Sequence, residues 1–325
     1  MTSFLHTLLH PSLYHGHKAR PPFFEGWYFK LVSADETKRL AVIPGVILGQ
    51  DGHAFVQVLD GVRGEGAYFR YPLSDFAASR EEFQLQIGPN HFSLDRIQLE
   101  LPESQLGLKG EVGFKGITPW PVSFTSPGIM GWYAWVPFME CYHGVLSFDH
   151  LLEGSLDLQS KTFDFNSGHG YVEKDWGQSF PQAWVWFQSN HFSAPGTCLT
   201  ASVAIIPWLG TSFNGFIIGL WHKGKLYRFA TYTGAVIETL EITDEKVLWT
   251  VKDRRFRLQL RAERAGTGLL LGPTRREMGI RVAETLNALV YVHLTDQNGI
   301  TIFEGQGRNA GLEAYNPTVL ARSES

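Results

Sequence analysis

Ala288-Leu289-Val290-Tyr291-Val292-His293-Leu294, with the turn signal Asp296-Gln297-Asn298-Gly299 behind it, alternates with a period of two and so predicts a strand entering a hairpin. The same alternation recurs in Gly26-Trp27-Tyr28-Phe29-Lys30-Leu31-Val32, Ala54-Phe55-Val56-Gln57-Val58-Leu59 and Phe256-Arg257-Leu258-Gln259-Leu260-Arg261. Asp51-Gly52 and His222-Lys223-Gly224-Lys225 also join apolar alternating runs. Helical spacing is scarce, and Ser74 to Glu82 is the best short helix candidate. Many short strands with frequent turns predict an all-β chain of sandwiches or closed antiparallel barrels, a class that includes ligand-holding barrels.

Length and composition agree. The 325 residues are 44% hydrophobic, 14% aromatic and 18% charged, with 34 Gly and 16 Pro, which fits a turn-rich globular protein of one large or two ordinary domains. Composition shifts between Ser155 and Gly170, so the expected division is residues 1–165 and 166–325. Aromatic strands on either side, Phe23-Phe24-Glu25-Gly26-Trp27 and Trp184-Val185-Trp186-Phe187, form only a weak internal echo.

Several function classes lose support. A net charge of −4 without a basic cluster disfavours nucleic-acid binding. Cys141 and Cys198 form no Cys-x-x-Cys pair and no disulfide framework, which fits a reducing, cytoplasmic setting. No positively charged leader precedes the first apolar stretch, and no run approaches the roughly 18 apolar residues of a membrane span. Gly305-Gln306-Gly307-Arg308-Asn309-Ala310 loosely matches a dinucleotide fingerprint but lacks the following helix, and is expected to be a turn. His15-Gly16-His17 and Glu140-Cys141-Tyr142-His143 lack an identifiable third metal ligand and are expected to hold structural histidines; neither a metal nor a cofactor is expected.

Gly168-His169-Gly170-Tyr171-Val172-Glu173-Lys174-Asp175-Trp176-Gly177 is the segment richest in chemistry. On a strand, Tyr171, Glu173 and Asp175 share one face while Val172, Lys174 and Trp176 share the other. In an apolar pocket, desolvation and like charge would keep one carboxyl protonated as a general acid able to protonate an alkene. A solvent-facing pair of acids satisfied by Lys174 is the blander arrangement. Five aromatics crowd Gly131 to Gly144 beside Glu140 and His143; they suit core packing or a wall that shields a carbocation.

The blocks Phe23-Phe24-Glu25-Gly26-Trp27-Tyr28-Phe29-Lys30, Pro137-Phe138-Met139-Glu140-Cys141-Tyr142-His143, Gly170-Tyr171-Val172-Glu173-Lys174-Asp175-Trp176-Gly177 and Gly272-Pro273-Thr274 resemble the tocopherol cyclase family, in consistent order from about His10 to Leu312. The resemblance implies two lipocalin-like antiparallel β domains, related distantly to carotenoid 1,2-hydratases. It also implies cofactor-independent chemistry: protonation of a prenyl double bond on a hydroquinone, then capture of the tertiary cation by the phenolic oxygen to close a chromanol, or by water in the hydratases. Carried over, Glu173 is the expected proton donor, with Tyr171 and Asp175 as partners. Trp27, Glu25, Tyr28, Glu140, Tyr142, His143 and Trp176 are the expected substrate contacts. The implied partner is an apolar prenylated quinol or other isoprenoid, and such a substrate suits transient contact with a membrane surface. The alternative is a lipocalin-like carrier that binds the isoprenoid unchanged.

Overall fold

The computed structural model describes residues 4–103, 106–159 and 161–322. The chain is all-β and divides into two lipocalin-like antiparallel units, one made of Met1–Phe180 with Gly268–Arg281, the other of Pro181–Thr267 with Val282–Ser325. Each unit folds around its own apolar core.

In the first unit the strands are β1 (Phe23–Val32), β2 (Arg39–Leu48), β3 (His53–Asp60), β4 (Glu65–Tyr71), β5 (Phe76–Ala78), β6 (Gln84–Ile87), β7 (Asn90–Ser93), β8 (Arg96–Glu100), β9 (Leu108–Lys115), β10 (Cys141–Leu158), β11 (Lys161–Asp164) and β12 (His169–Gly177). They pair in the order β4-β3-β2-β1-β12-β10-β9-β8-β7-β6-β5, with β11 on β10. The meanders therefore run outward from a centre where β12, late in sequence, is inserted between β1 and β10. Trp27, Phe29 and Leu31 of β1 and Val172 of β12 enter the core at every second residue. The intervening Tyr28, Lys30, Tyr171 and Glu173 are buried as well. Both faces of these central strands are therefore covered.

The second unit opens with Trp184–Ser189, which lies between Cys198–Trp208 and Thr301–Tyr315; the latter pairs in turn with Met278–Asp296. The hairpin at His222-Lys223-Gly224-Lys225 forms as expected, with Lys223 at φ 50° and Gly224 at φ 72°, the two positive angles that a tight twisted turn demands.

Three expectations are corrected. The boundary does not fall at residues 165 and 166, because β12 pairs with β1 from Phe24↔Gly177 to Val32↔His169 and belongs to the first unit. Gly268–Pro273 returns to that unit too, where Gln57 and Leu271 exchange two hydrogen bonds of 2.8 Å. Ser74 to Glu82 is not helical: Leu73–Asp75 makes one 3-10 turn and β5 pairs with β6, since a ladder that seats Leu85 and Ile87 in the core outweighs the weak helical preference of so short a segment. Gly305 to Ala310 is strand, not turn.

Candidate active site

The inserted strand sets up two chemistries, one on each face. Its register places Asp175 opposite both Gly26 and His143, and Glu173 opposite both Tyr28 and Val145. Directly paired residues share a face, so one face carries Tyr28, Lys30, His143, Tyr171, Glu173 and Asp175. The other carries Glu25, Trp27, Tyr142, Lys174 and Trp176.

On the first face the side chains form a proton-bearing chain. The Tyr171 hydroxyl donates to Glu173 Oε2. Nδ1 of His143 lies 2.8 Å from Asp175 Oδ1, and Nε2 lies 3.5 Å from Glu173 Oε2. Exposure rises along the chain, from 6% for Glu173 through 14% for His143 to 29% for Asp175, so Asp175 is the solvent end. Burial alone pushes the His143 pKa down, but the Asp175 and Glu173 carboxylates and the Asp175 hydrogen bond lift it to about 9. At neutral pH the ring is an imidazolium whose Nδ1–H is taken by Asp175. Nε2, also buried, has no hydrogen-bond partner among the described residues. A buried N–H of a cation, paired with a carboxylate at 3.5 Å but not hydrogen-bonded to it, is a proton available for transfer.

His143, Glu173 and Asp175 each offer a ligand atom within 4.8 Å of the others. Two carboxylates in this setting call for a positive charge, and the protonated ring supplies one from within the chain.

The opposite face holds a buried ion pair. Lys174 and Glu25 are fully buried and bonded to each other, and Lys174 Nζ also donates to the Leu13 carbonyl at 2.7 Å. The His15 backbone N–H donates to Glu25 Oε2 at 2.8 Å. Burial and the Lys174 charge keep His15 below its ordinary pKa, so the neutral ring accepts from Lys174 at 3.1 Å. Burial would push the Glu25 carboxyl up, but Lys174 and His15 hold it below its ordinary value. Trp27 and Trp176 each place a ring 4.8 Å from Lys174 Nζ, His15 stacks on Trp176 at 4.1 Å, and Trp176 stacks on Tyr142 at 5.4 Å. This group anchors the segment before β1 to the middle of the sheet.

The structure thus brings Tyr171, Glu173, Asp175 and His143 together and aligns Tyr28 with Glu173. It puts Glu25, Trp27, Tyr142 and Trp176 on the reverse face. Glu140 belongs to neither group: Ser179 donates to it at 3.0 Å and Arg275 pairs with it at 3.2 Å. Gly177, at φ 152°, keeps that corner tight, because a Cβ there would meet the Glu140 carbonyl at 2.3 Å. The arrangement in which Lys174 satisfies Glu173 and Asp175 is excluded, since Lys174 turns inward to Glu25. His143, expected as a structural histidine, sits between Asp175 and Glu173, and its pairing with Asp175 across 32 positions leaves no local signal. The Gly131 to Gly144 aromatics do not form one wall: Trp132 and Phe138 are exposed.

Residues 99–315 match the profile of the family described as tocopherol cyclase-like. The chain belongs to that family. All four members of the acid cluster lie inside the matched residues, whereas His15, Glu25 and Trp27 lie outside them. Among curated proteins, a probable chloroplastic tocopherol cyclase of Oryza sativa subsp. japonica is 27% identical over 278 residues, 69% of this chain and 59% of the relative. The chloroplastic tocopherol cyclase of Zea mays is 27% identical over 281 residues, 69% and 58% of the two chains. The chain therefore spans less than two thirds of the length of either relative. Among solved structures, CghA with Sch210972 aligns with a TM-score of 0.57 at 11% identity, covering 91% of this chain and 89% of the other. Kievitone hydratase from Nectria haematococca aligns at 0.51 and 12% identity, covering 94% and 93%. These two likenesses concern the fold. No helix among the described residues is long and apolar enough to cross a membrane.

Proposed function

We propose that this protein is an acid–base enzyme of the cyclase or hydratase type, acting without a cofactor on an isolated double bond of an apolar isoprenoid, best a prenylated hydroquinone. The observation that carries this reading is the Tyr171–Glu173–His143–Asp175 chain, a buried carboxyl with a cationic proton source 3.5 Å away. Glu173, a carboxylate beside the imidazolium at rest, takes the Nε2 proton of His143 and passes it to the alkene. The Tyr171 hydroxyl stabilises the carboxylate that re-forms, and Asp175 orients the ring and links it to solvent. For cyclisation, the vinylic carbon gains a proton and the phenolic oxygen bonds to the tertiary cation. The phenol then gives its proton to the Glu173 carboxylate, from which it returns to His143, so the pair is restored and substrate and product are isomers. In hydration, water takes the place of the phenol.

The test is incubation of purified protein and of Glu173→Gln with a panel of prenylated hydroquinones, following loss of the side-chain double bond. Turnover by the wild type and its collapse in the variant support the reading. Tight binding without turnover in both proteins would replace it with the carrier.

A further inference from the structure

Glu140-Cys141-Tyr142-His143 has the residue types of a metal site without the spacing, and the ligands it lacks come from another strand. β10 and β12 run antiparallel with His143 opposite Asp175 and Val145 opposite Glu173, so the register brings one imidazole and two carboxylates to the same face. One ligand atom from each of the three lies within 4.8 Å of the other two. His143 Nε2 and Glu173 Oε2 are 3.5 Å apart. Two atoms bonded to one tetrahedral Zn²⁺ at about 2.0 to 2.2 Å stand roughly 3.4 Å from each other, so this gap matches that of a ligand pair. Nε2 is buried and makes no hydrogen bond among the described residues. Asp175 takes the other ring N–H at 2.8 Å, which is how a metal-bound imidazole is ordinarily held with its second nitrogen turned to the ion. The two basic side chains of β1 and β12 do not fill the place. Lys174 turns to Glu25, and Lys30 stands opposite Tyr171 in register.

We propose that His143, Glu173 and Asp175 form an inhibitory site for a divalent cation of the zinc type, bound in place of the Nε2 proton. The ion bonds to Nε2 and Glu173 Oε2, while Asp175 fixes the ring and its carboxylate supplies the second negative charge that balances a divalent ion at a largely buried place. Chemistry selects the ion. An imidazole ligand suits Zn²⁺ and Co²⁺, whereas Mg²⁺ and Ca²⁺ are bound through oxygen. The balance is simple: the bond from Nε2 to its proton breaks, the lone pair passes to the metal, and the proton leaves to water. Cation and proton therefore exclude each other. A protein holding the ion has no proton to pass to an alkene, so the cation switches the enzyme off. That consequence rests on the function proposed above, and the binding does not.

Titration of the purified full chain with Zn²⁺, followed by calorimetry, and with Co²⁺, followed by visible absorption, tests the site without reference to turnover. The wild type should take up one tight ion, and excess Mg²⁺ should not displace it. His143→Phe should lose that ion while keeping its β circular dichroism. Asp175→Asn, a milder change at the solvent end, should weaken binding by roughly 10- to 100-fold through the loss of the group that holds the ring. Cys141→Ser should bind as the wild type does, which sets aside the thiol two residues before His143. No tight ion in the wild type, undiminished affinity in both His143→Phe and Asp175→Asn, or loss of the ion in Cys141→Ser would each overturn the proposal. Turnover of a prenylated hydroquinone should stop as Zn²⁺ fills the site and return when a chelator removes it; turnover that persists at full occupancy would overturn the inhibitory role. Zn²⁺ bound as described by a protein that transforms no hydroquinone would uphold the cation site and count against the proposed function instead.

Discussion

Replacing Asp175 with asparagine probes the acid cluster at its solvent end, where the fold can accept an isosteric change. In the wild type, burial works against protonation of His143, and the two carboxylates with the Asp175 hydrogen bond lift its pKa from 6.5 to about 9. At about 1.4 kcal/mol per pH unit, the net preference for the imidazolium is about 3 kcal/mol. Asp175 is partly solvated and its share is screened accordingly. Its loss should therefore bring the His143 pKa down by roughly 1 to 2 pH units, while Glu173 remains to hold part of the rise. Stability must follow. A histidine whose folded pKa lies above its unfolded value contributes in full below about 6.5, and the contribution fades as pH rises through about 9. Wild-type unfolding free energy should therefore decline across that interval, and in Asp175→Asn the decline should be smaller and end at lower pH. The assay is an NMR titration of the His143 ring in both proteins, paired with denaturant unfolding at several pH values. A His143 that still titrates near 9 in Asp175→Asn, or a wild type whose stability is flat from pH 6.5 to 9, would refute the electrostatic account.

Further outcomes follow from the same geometry. Glu173→Gln keeps shape and the Tyr171 contact but carries no transferable proton, so turnover should fall by a factor on the order of 10² to 10⁴ with ligand affinity little changed, as measured by steady-state kinetics and equilibrium binding. Lys174→Met strands the fully buried Glu25 carboxylate and should cost about 3 to 5 kcal/mol in denaturant unfolding. Adding Glu25→Leu should recover much of that loss, and a double variant no more stable than Lys174→Met would argue against an ionised pair. Tyr171→Phe removes the donor to Glu173 Oε2 and should lower kcat while leaving the fold intact; an unchanged kcat would remove Tyr171 from the proton chain.

Most of the architecture was legible because it is local. Tight turns such as Lys223-Gly224 and period-two runs such as Phe256 to Arg261 announce strands within a few residues. Register is not local. Nothing in the spacing of Glu140-Cys141-Tyr142-His143 tells that His143 will face Asp175, because that depends on β12 being inserted between β1 and β10. Alternation along Tyr171 to Trp176 did sort the side chains correctly into two faces, but it did not show that both faces are buried. Only that burial makes Lys174 reach inward to Glu25 and leaves Glu173 to His143. The unit boundary escaped for a similar reason: the polar stretch near Leu156 to Gly168 includes β11, whose Phe163 is buried in the core, so composition mimicked a linker there.

The central claim is that a proton from the Glu173–His143 pair is delivered to a prenyl carbon. Turnover of a prenylated hydroquinone in D₂O, analysed by mass spectrometry and NMR, tests it most directly. The product should be a chromanol, or the corresponding tertiary alcohol, carrying one deuterium per molecule on the former vinylic carbon, with the label and the product both lost in Glu173→Gln. Recovery of the hydroquinone unchanged and unlabelled after prolonged incubation with protein that binds it, or a labelled product formed equally well by Glu173→Gln, would contradict it.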